Sequence, residues 1–174
     1  MQQYSVKTAL LLLERTPSTL STLLNGLPDD WVMRNEGPGT WSPWEVVGHL
    51  IFCEKNNFFG RIQTILSDAD QKPLSPFDMS SQFEWIKDKN MRTLLTEFTD
   101  LRKQNLASLR SHPLSEADLL KTGLHPKMGT VTLQHVLSTW VTHDLSHTTQ
   151  ILRVMARQYK EDVGPFIEFL RILN

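Results

Sequence analysis

The sequence predicts an all-α protein built as a four-helix bundle, and three observations predict it. Apolar residues recur at three- and four-residue spacings along four long segments, strand-like alternation is scarce, and the connections between segments differ greatly in length. With 174 residues, 40% of them hydrophobic and 21% charged, the chain can bury a substantial core. No internal repeat or long linker divides it, so a single domain over residues 1–174 is expected.

The first segment, about residues 2–26, carries Val6, Leu10, Leu13, Leu20 and Leu24 on one stripe. Thr16-Pro17 predicts a kink or restart within it, because proline lacks the N–H and crowds the preceding turn. Asn25-Gly26 and then Pro28 end it, and residues 27–41 read as a loop broken by Gly37-Pro38-Gly39. Ser42-Pro43-Trp44-Glu45 is a helix start: Ser42 caps, Pro43 sits where its missing N–H does no harm, and Glu45 completes a capping box. The second helix is expected to run on to about Ser67, with Val46, Leu50, Cys53 and Phe58 facing inward.

A connection over residues 68–81 contains Pro73 and Pro76. The third helix, about Gln82 to Ser111, shows Trp85, Ile86, Leu94, Leu95, Phe98, Leu101, Leu106 and Leu109 before His112-Pro113 stops it. Residues 115–130 are polar, with Gly123, Pro126 and Gly129, and read as a connection holding at most a short turn. Thr132 caps the fourth helix, about residues 133–159. Gly164-Pro165 breaks the chain before a short C-terminal helix ending at Leu173.

Bulk properties exclude several roles. The net charge is −1 and the sequence pI about 6.6, with no cluster of Lys and Arg and no aromatic-basic interleaving, so no nucleic-acid face is expected. The apolar run Ala9–Leu13 is broken at once by Glu14 and Arg15, too short for a membrane span or a signal segment. The one cysteine, Cys53, cannot form an internal disulfide, and a reducing, cytoplasmic setting is expected.

The chemistry-bearing feature is Trp140-Val141-Thr142-His143-Asp144-Leu145-Ser146-His147. Residues at i and i+4 share a helical face, roughly 6 Å apart at Cβ, close enough to grip one metal ion. Val136, Trp140, Ile151 and Val154 lie on the same face, so both imidazoles are expected to point inward, where neutral rings need partners. His49, on another core-facing helix, is the best third ligand. Three protein ligands and an open position distinguish a catalytic metal site from a structural one. His135 is rotated off the face of His143, and His112 and His125 lie beside prolines in connections.

The segment from Gly39 to Leu50, with Thr40-Trp41-Ser42-Pro43-Trp44-Glu45 and Gly48-His49 within it, resembles the start of the second helix of the DinB-like superfamily. Thr132-Leu133-Gln134-His135, continuing through His143-Asp144-Leu145-Ser146-His147-Thr148-Thr149-Gln150-Ile151, resembles that superfamily's later metal-binding helix. The spacing between the two and the overall length also match. The resemblance implies a four-helix bundle with a divalent cation, Zn or Ni foremost and Fe or Mn as alternatives, held by His49, His143 and His147. Many members continue with His-Arg-Gly-Gln around the last ligand. This chain has Ser146-His147-Thr148-Thr149-Gln150, which keeps the His and Gln but not the basic residue.

Three neutral imidazoles leave the full dipositive charge on an ion, enough to lower the pKa of a bound water from 15.7 towards about 7. The same ion can hold the thiolate of a low-molecular-weight thiol. Relatives imply both chemistries, metal-dependent hydrolysis and thiol S-transfer, including mycothiol-dependent isomerisation, on a small-molecule substrate. Asp144 is the candidate catalytic acid, base or imidazole orienter. Gln150, three residues past His147, is a candidate for substrate contact. Trp140, one turn before His143, is core wall and a candidate for the same. The resemblance also admits a homodimer.

Three rival readings bear on these residues. His143-Asp144-Leu145-Ser146-His147 differs from the zincin-protease motif by Asp in place of Glu, with Glu168 as a downstream ligand. That aspartate is one methylene too short for the general base, and the reading leaves His49 unexplained. A di-iron carboxylate bundle calls for paired Glu-x-x-His elements, which the sequence lacks. The alternative from a different class is a non-catalytic binding module braced by the metal, and the missing basic residue speaks for it.

Overall fold

A computed structural model describes residues 4–78 and 81–174; residues 1–3 and 79–80, at the ends of the expected first helix and of the 68–81 connection, lie outside it. The long helices are α1 (Val6–Leu24), α3 (Pro43–Asn56) continued by α4 (Phe58–Leu66), α6 (Met91–Ser111) and α8 (Leu133–Arg157). Short helices α2 (Asp29–Val32), α5 (Ser81–Ile86) and α7 (Glu116–Leu120) lie in the connections. Within the bundle α1 packs on α6 and α8, and α3 packs on the same two, so the four long elements close a ring around the core.

The expected starts are present. Ser42 and Glu45 form the reciprocal capping box of α3, with Pro43 at its first position. Thr132 caps α8, and His135 closes the box from the third position, which accounts for that histidine.

Several boundaries differ from the sequence reading, each for a local reason. Pro17 does not restart the first helix: α1 runs unbroken from Val6 to Leu24. A proline at position 17 cannot donate to the carbonyl of Leu13. Arg102 of α6 does so instead, its Nη1 lying 2.6 Å from the Leu13 oxygen. The second helix is not continuous to Ser67. Asn57 leaves helical geometry at φ −127° and ψ −95°, splitting α3 from α4. The bend brings Phe58 flat against Trp140, with centroids 5.7 Å apart, and edge-on to His143. The third helix divides likewise into α5 and α6, because Asn90 caps a fresh start by accepting from the Thr93 N–H.

The polar stretch holds α7 and an antiparallel hairpin, β1 (Thr122–His125) with β2 (Gly129–Thr132), paired from Thr122↔Thr132 to His125↔Gly129. Gly129 makes the turn with a φ of +70°. The expected C-terminal helix is two 3₁₀ turns, Gly164–Phe169 and Arg171–Leu173. Among the described residues no helix is long and apolar enough to cross a membrane.

A polar cluster is buried between the helices. Arg102 is 2% exposed and binds Asp144 of α8 through both nitrogens, at 2.7 and 3.1 Å, and Glu54 of α3 at 2.7 Å. Glu54 also accepts from Trp140 Nε1 at 3.1 Å and Asn105 Nδ2 at 2.9 Å. With the Leu13 carbonyl, one guanidinium joins α1, α3, α6 and α8.

Candidate metal centre

The site forms where the faces of α3 and α8 meet. His49 and Cys53 are one turn apart on α3, and His143 and His147 are one turn apart on α8, so each helix presents an i, i+4 pair. The three imidazoles converge, with centroids 5.1 Å apart for His49 and His143, 4.7 Å for His49 and His147, and 4.4 Å for His143 and His147. His49 Nε2 and His143 Nε2 stand 3.1 Å apart, and Cys53 Sγ lies 3.5 and 3.8 Å from them. His49, Cys53 and His143 form a donor group with all ligand atoms within 4.8 Å; His147 is not in that group.

Two glutamine amides aim the rings. His49 Nδ1–H donates to Gln82 Oε1 at 2.7 Å, which leaves the Nε2 lone pair facing the cluster. His147 Nδ1–H donates to Gln150 Oε1 at 2.8 Å with the same effect. Such partners fix the tautomer and ring orientation of metal-binding histidines. His143 Nδ1 is buried with no hydrogen-bond partner, and the ring is held instead by the edge contact with Phe58.

Burial keeps these rings neutral. Desolvation lowers His49 to about 4, against a smaller upward pull from the Gln82 hydrogen bond. Desolvation and the neighbouring His147 lower His143 to about 3, and desolvation lowers His147 as well. Neutral imidazole is the ligand form, so lone pairs are available well below neutral pH. The 3.1 Å separation of the two Nε2 atoms suits a shared cation, because zinc–nitrogen bonds of 2.0–2.1 Å put tetrahedral neighbours about 3.3 Å apart. The residues present therefore fit a divalent ion.

Aromatic rings line the site. Trp41, half-buried in the loop before α3, stacks on His147 at 6.2 Å and leans on His49 at 5.0 Å. Phe77 meets His49 edge-on, and the exposed Phe83 meets Trp41 edge-on. His49 and Cys53 are buried whereas His143 and His147 are half-buried, so the α8 side of the cluster lies nearer the surface.

The structure brings His49, His143 and His147 together and places Gln150 beside His147. Both Asp144 carboxylate oxygens accept from Arg102, and the carboxylate acts on His147 through its charge, as a lesser upward pull on that imidazole than the burial that lowers it. One residue past His143 on the helix, Asp144 is rotated towards α6. Trp140 is fully buried, with its indole N–H on Glu54, and forms core wall. Glu168 is exposed in the first 3₁₀ turn, outside the donor group.

Sequence reasoning missed Gln82 and Cys53. Nothing near Gln82 marks it, because its partner is 33 residues away. Cys53 did carry a signal: His49-x-x-x-Cys53 repeats the spacing of His143 and His147, and the cysteine was read only as a core residue.

Imidazoles from two facing helices converge in this bundle, and its architecture defines a class of helical-bundle proteins. Within that class the sequence profile of the DinB superfamily matches residues 12–151, and the chain belongs to that superfamily. Its fold is similar to that of YfiT from Bacillus subtilis, described as "a probable metal-dependent hydrolase with an unusual four-helix bundle topology". The TM-score is 0.73 at 20% sequence identity, over 91% of each chain. No curated protein matches.

Proposed function

We propose that this protein is a metal-dependent enzyme acting on a small molecule, its divalent cation held by His49, His143 and His147. The observation that carries the reading is the convergence of three neutral imidazoles from two helices, two of them aimed by glutamine amides. A cation held there supplies Lewis acidity, activating a water for hydrolysis or a low-molecular-weight thiol for S-transfer.

The chain's own residues do the rest. Gln82 and Gln150 keep the Nε2 lone pairs of His49 and His147 on the cluster. Trp41, Phe77 and Phe83 form apolar walls that limit water around the rings and favour a substrate with an apolar or planar portion. Asp144 acts through Arg102 on helix packing, not on the substrate. The cytoplasm, where the single Cys53 stays reduced, is the proposed setting.

One observation favours a second reading, a metal-braced module without chemistry. Cys53 Sγ offers a fourth protein donor, and sites closed by four protein ligands are structural. The test is elemental analysis of untagged protein, wild type beside His49→Ala and His147→Ala. Near-stoichiometric metal in the wild type, lost from both variants, supports the site, and hydrolysis and thiol-transfer screens on loaded protein then separate enzyme from brace. Wild-type protein that stays empty after incubation with zinc or nickel refutes the metal reading.

A further inference from the structure

We propose that Cys53 is a ligand of this centre, its thiolate joining the imidazoles of His49 and His143 on one thiophilic divalent cation. The inference rests on the metal-dependent reading and extends it to the donor set.

Three independent lines lead there. The first is distance. In a tetrahedral zinc site with Zn–N of 2.0–2.1 Å and Zn–S of 2.3 Å, neighbouring donors lie about 3.3 Å apart for two nitrogens and about 3.6 Å for nitrogen and sulfur. The observed edges are 3.1 Å between the Nε2 atoms and 3.5 and 3.8 Å from Sγ to each. All three lie within about 0.2 Å of the tetrahedral values.

The second is placement. Cys53 is 1% exposed and stands one turn below His49, on the face that α3 turns to α8. A cysteine serving only as a small apolar filler has no need to lie against the ligand nitrogens of two histidines.

The third is charge. Glu54 follows Cys53 and Asp144 follows His143, so the backs of both ligand turns carry carboxylates that meet on one guanidinium. That buried trio has a formal charge of −1. A dipositive ion with neutral imidazoles alone would leave a net positive interior, whereas one thiolate brings ion, ligand and trio to neutrality. Buried charge is tolerated where it is compensated in this way.

Binding is written simply: the Cys53 S–H bond breaks, its proton goes to solvent, and a sulfur–metal bond forms, with no change of oxidation state. His49, Cys53 and His143 would hold the ion as three protein donors, and a fourth position would be filled by His147 in a closed, bracing site or by substrate in an open one. A thiolate among imidazoles also selects Zn²⁺, Co²⁺ or Ni²⁺ over Mn²⁺ and Mg²⁺.

The experiment loads metal-depleted protein with one equivalent of Co²⁺ at pH 8, reading the absorption spectrum and the protons released. The expected result is a near-ultraviolet thiolate-to-cobalt charge-transfer band, with one proton released per ion. Because Cys53 is the only cysteine, the wild-type band identifies it without any variant. Cys53→Ala and Cys53→Ser should lose the band and the proton while still binding Co²⁺ more weakly. Stoichiometric Co²⁺ with visible bands, no charge transfer and no proton release overturns the cysteine assignment and leaves the histidine site standing. Wild-type protein that takes up no Co²⁺ overturns both.

Discussion

Replacing Arg102 with methionine should cost the fold about 3–5 kcal/mol, the range for breaking a buried ion pair by removing one partner. The structure explains why the cost is at the heavy end of single substitutions. Arg102, Glu54 and Asp144 are each 3% exposed or less, so two carboxylates would be left facing each other away from water. The Leu13 carbonyl would also lose the donor that replaces the N–H missing at Pro17. For a chain of this size each kcal/mol moves Tm by roughly 2–4 °C, so the midpoint should fall by roughly 6–20 °C. Urea unfolding followed by far-ultraviolet circular dichroism measures the loss, with an unchanged m-value showing that stability alone has moved. The triple variant Arg102→Met, Glu54→Gln, Asp144→Asn removes the stranded charges and should recover more than half of it. A loss below about 1 kcal/mol, the value of an exposed pair, would refute the reasoning. So would a triple variant no more stable than the single one.

Other consequences can be measured directly. Gln82→Met keeps the side-chain volume but releases His49 Nδ1, and should weaken metal binding by about 10–100-fold by competition with a chelating dye; unchanged affinity would remove Gln82 from the site. Gly48→Ala would put a Cβ 2.7 Å from Ile86 Cγ2, where α3 and α5 touch and Ile86 is buried, and should cost about 1–3 kcal/mol in thermal unfolding. In chelator, the folded pKa values of His49 and His143 lie below their ordinary 6.5, so the unfolded chain binds more protons below that pH. Stability is therefore complete above pH 6.5 and falls as pH drops towards about 4 for His49 and about 3 for His143. A Tm that stays flat from pH 7 to 5 would contradict this.

The bundle was legible because its helices announce themselves chemically. The stripe of Leu13, Leu20 and Leu24, the box of Ser42 and Glu45 and the cap at Thr132 are local signals with local causes, and each is present. The breaks at Asn57 and before Asn90 were not legible, because both flanks keep helical periodicity and tertiary packing selects the bend. The hairpin escaped because four-residue strands are too short for alternation to register. At the site, the i, i+4 histidines and the face of His49 were readable from helical geometry alone. Asp144 was assigned by proximity in sequence, yet adjacent helical residues point about 100° apart, and its partner Arg102 lies 42 residues away. Long-range pairing of that kind leaves no mark on one sequence.

The proline in α1 has an effect beyond the hydrogen bond it removes. Helices that meet along leucine stripes can slip past one another by a turn, about 5.4 Å, and still find leucine opposite leucine. A bare carbonyl at Leu13 makes those settings unequal, because in the native one it meets the Arg102 guanidinium and one turn away it would be buried unanswered. The residue that weakens α1 as an isolated helix thus acts as a key for its alignment, selecting one setting from several that hydrophobicity alone would leave nearly equal.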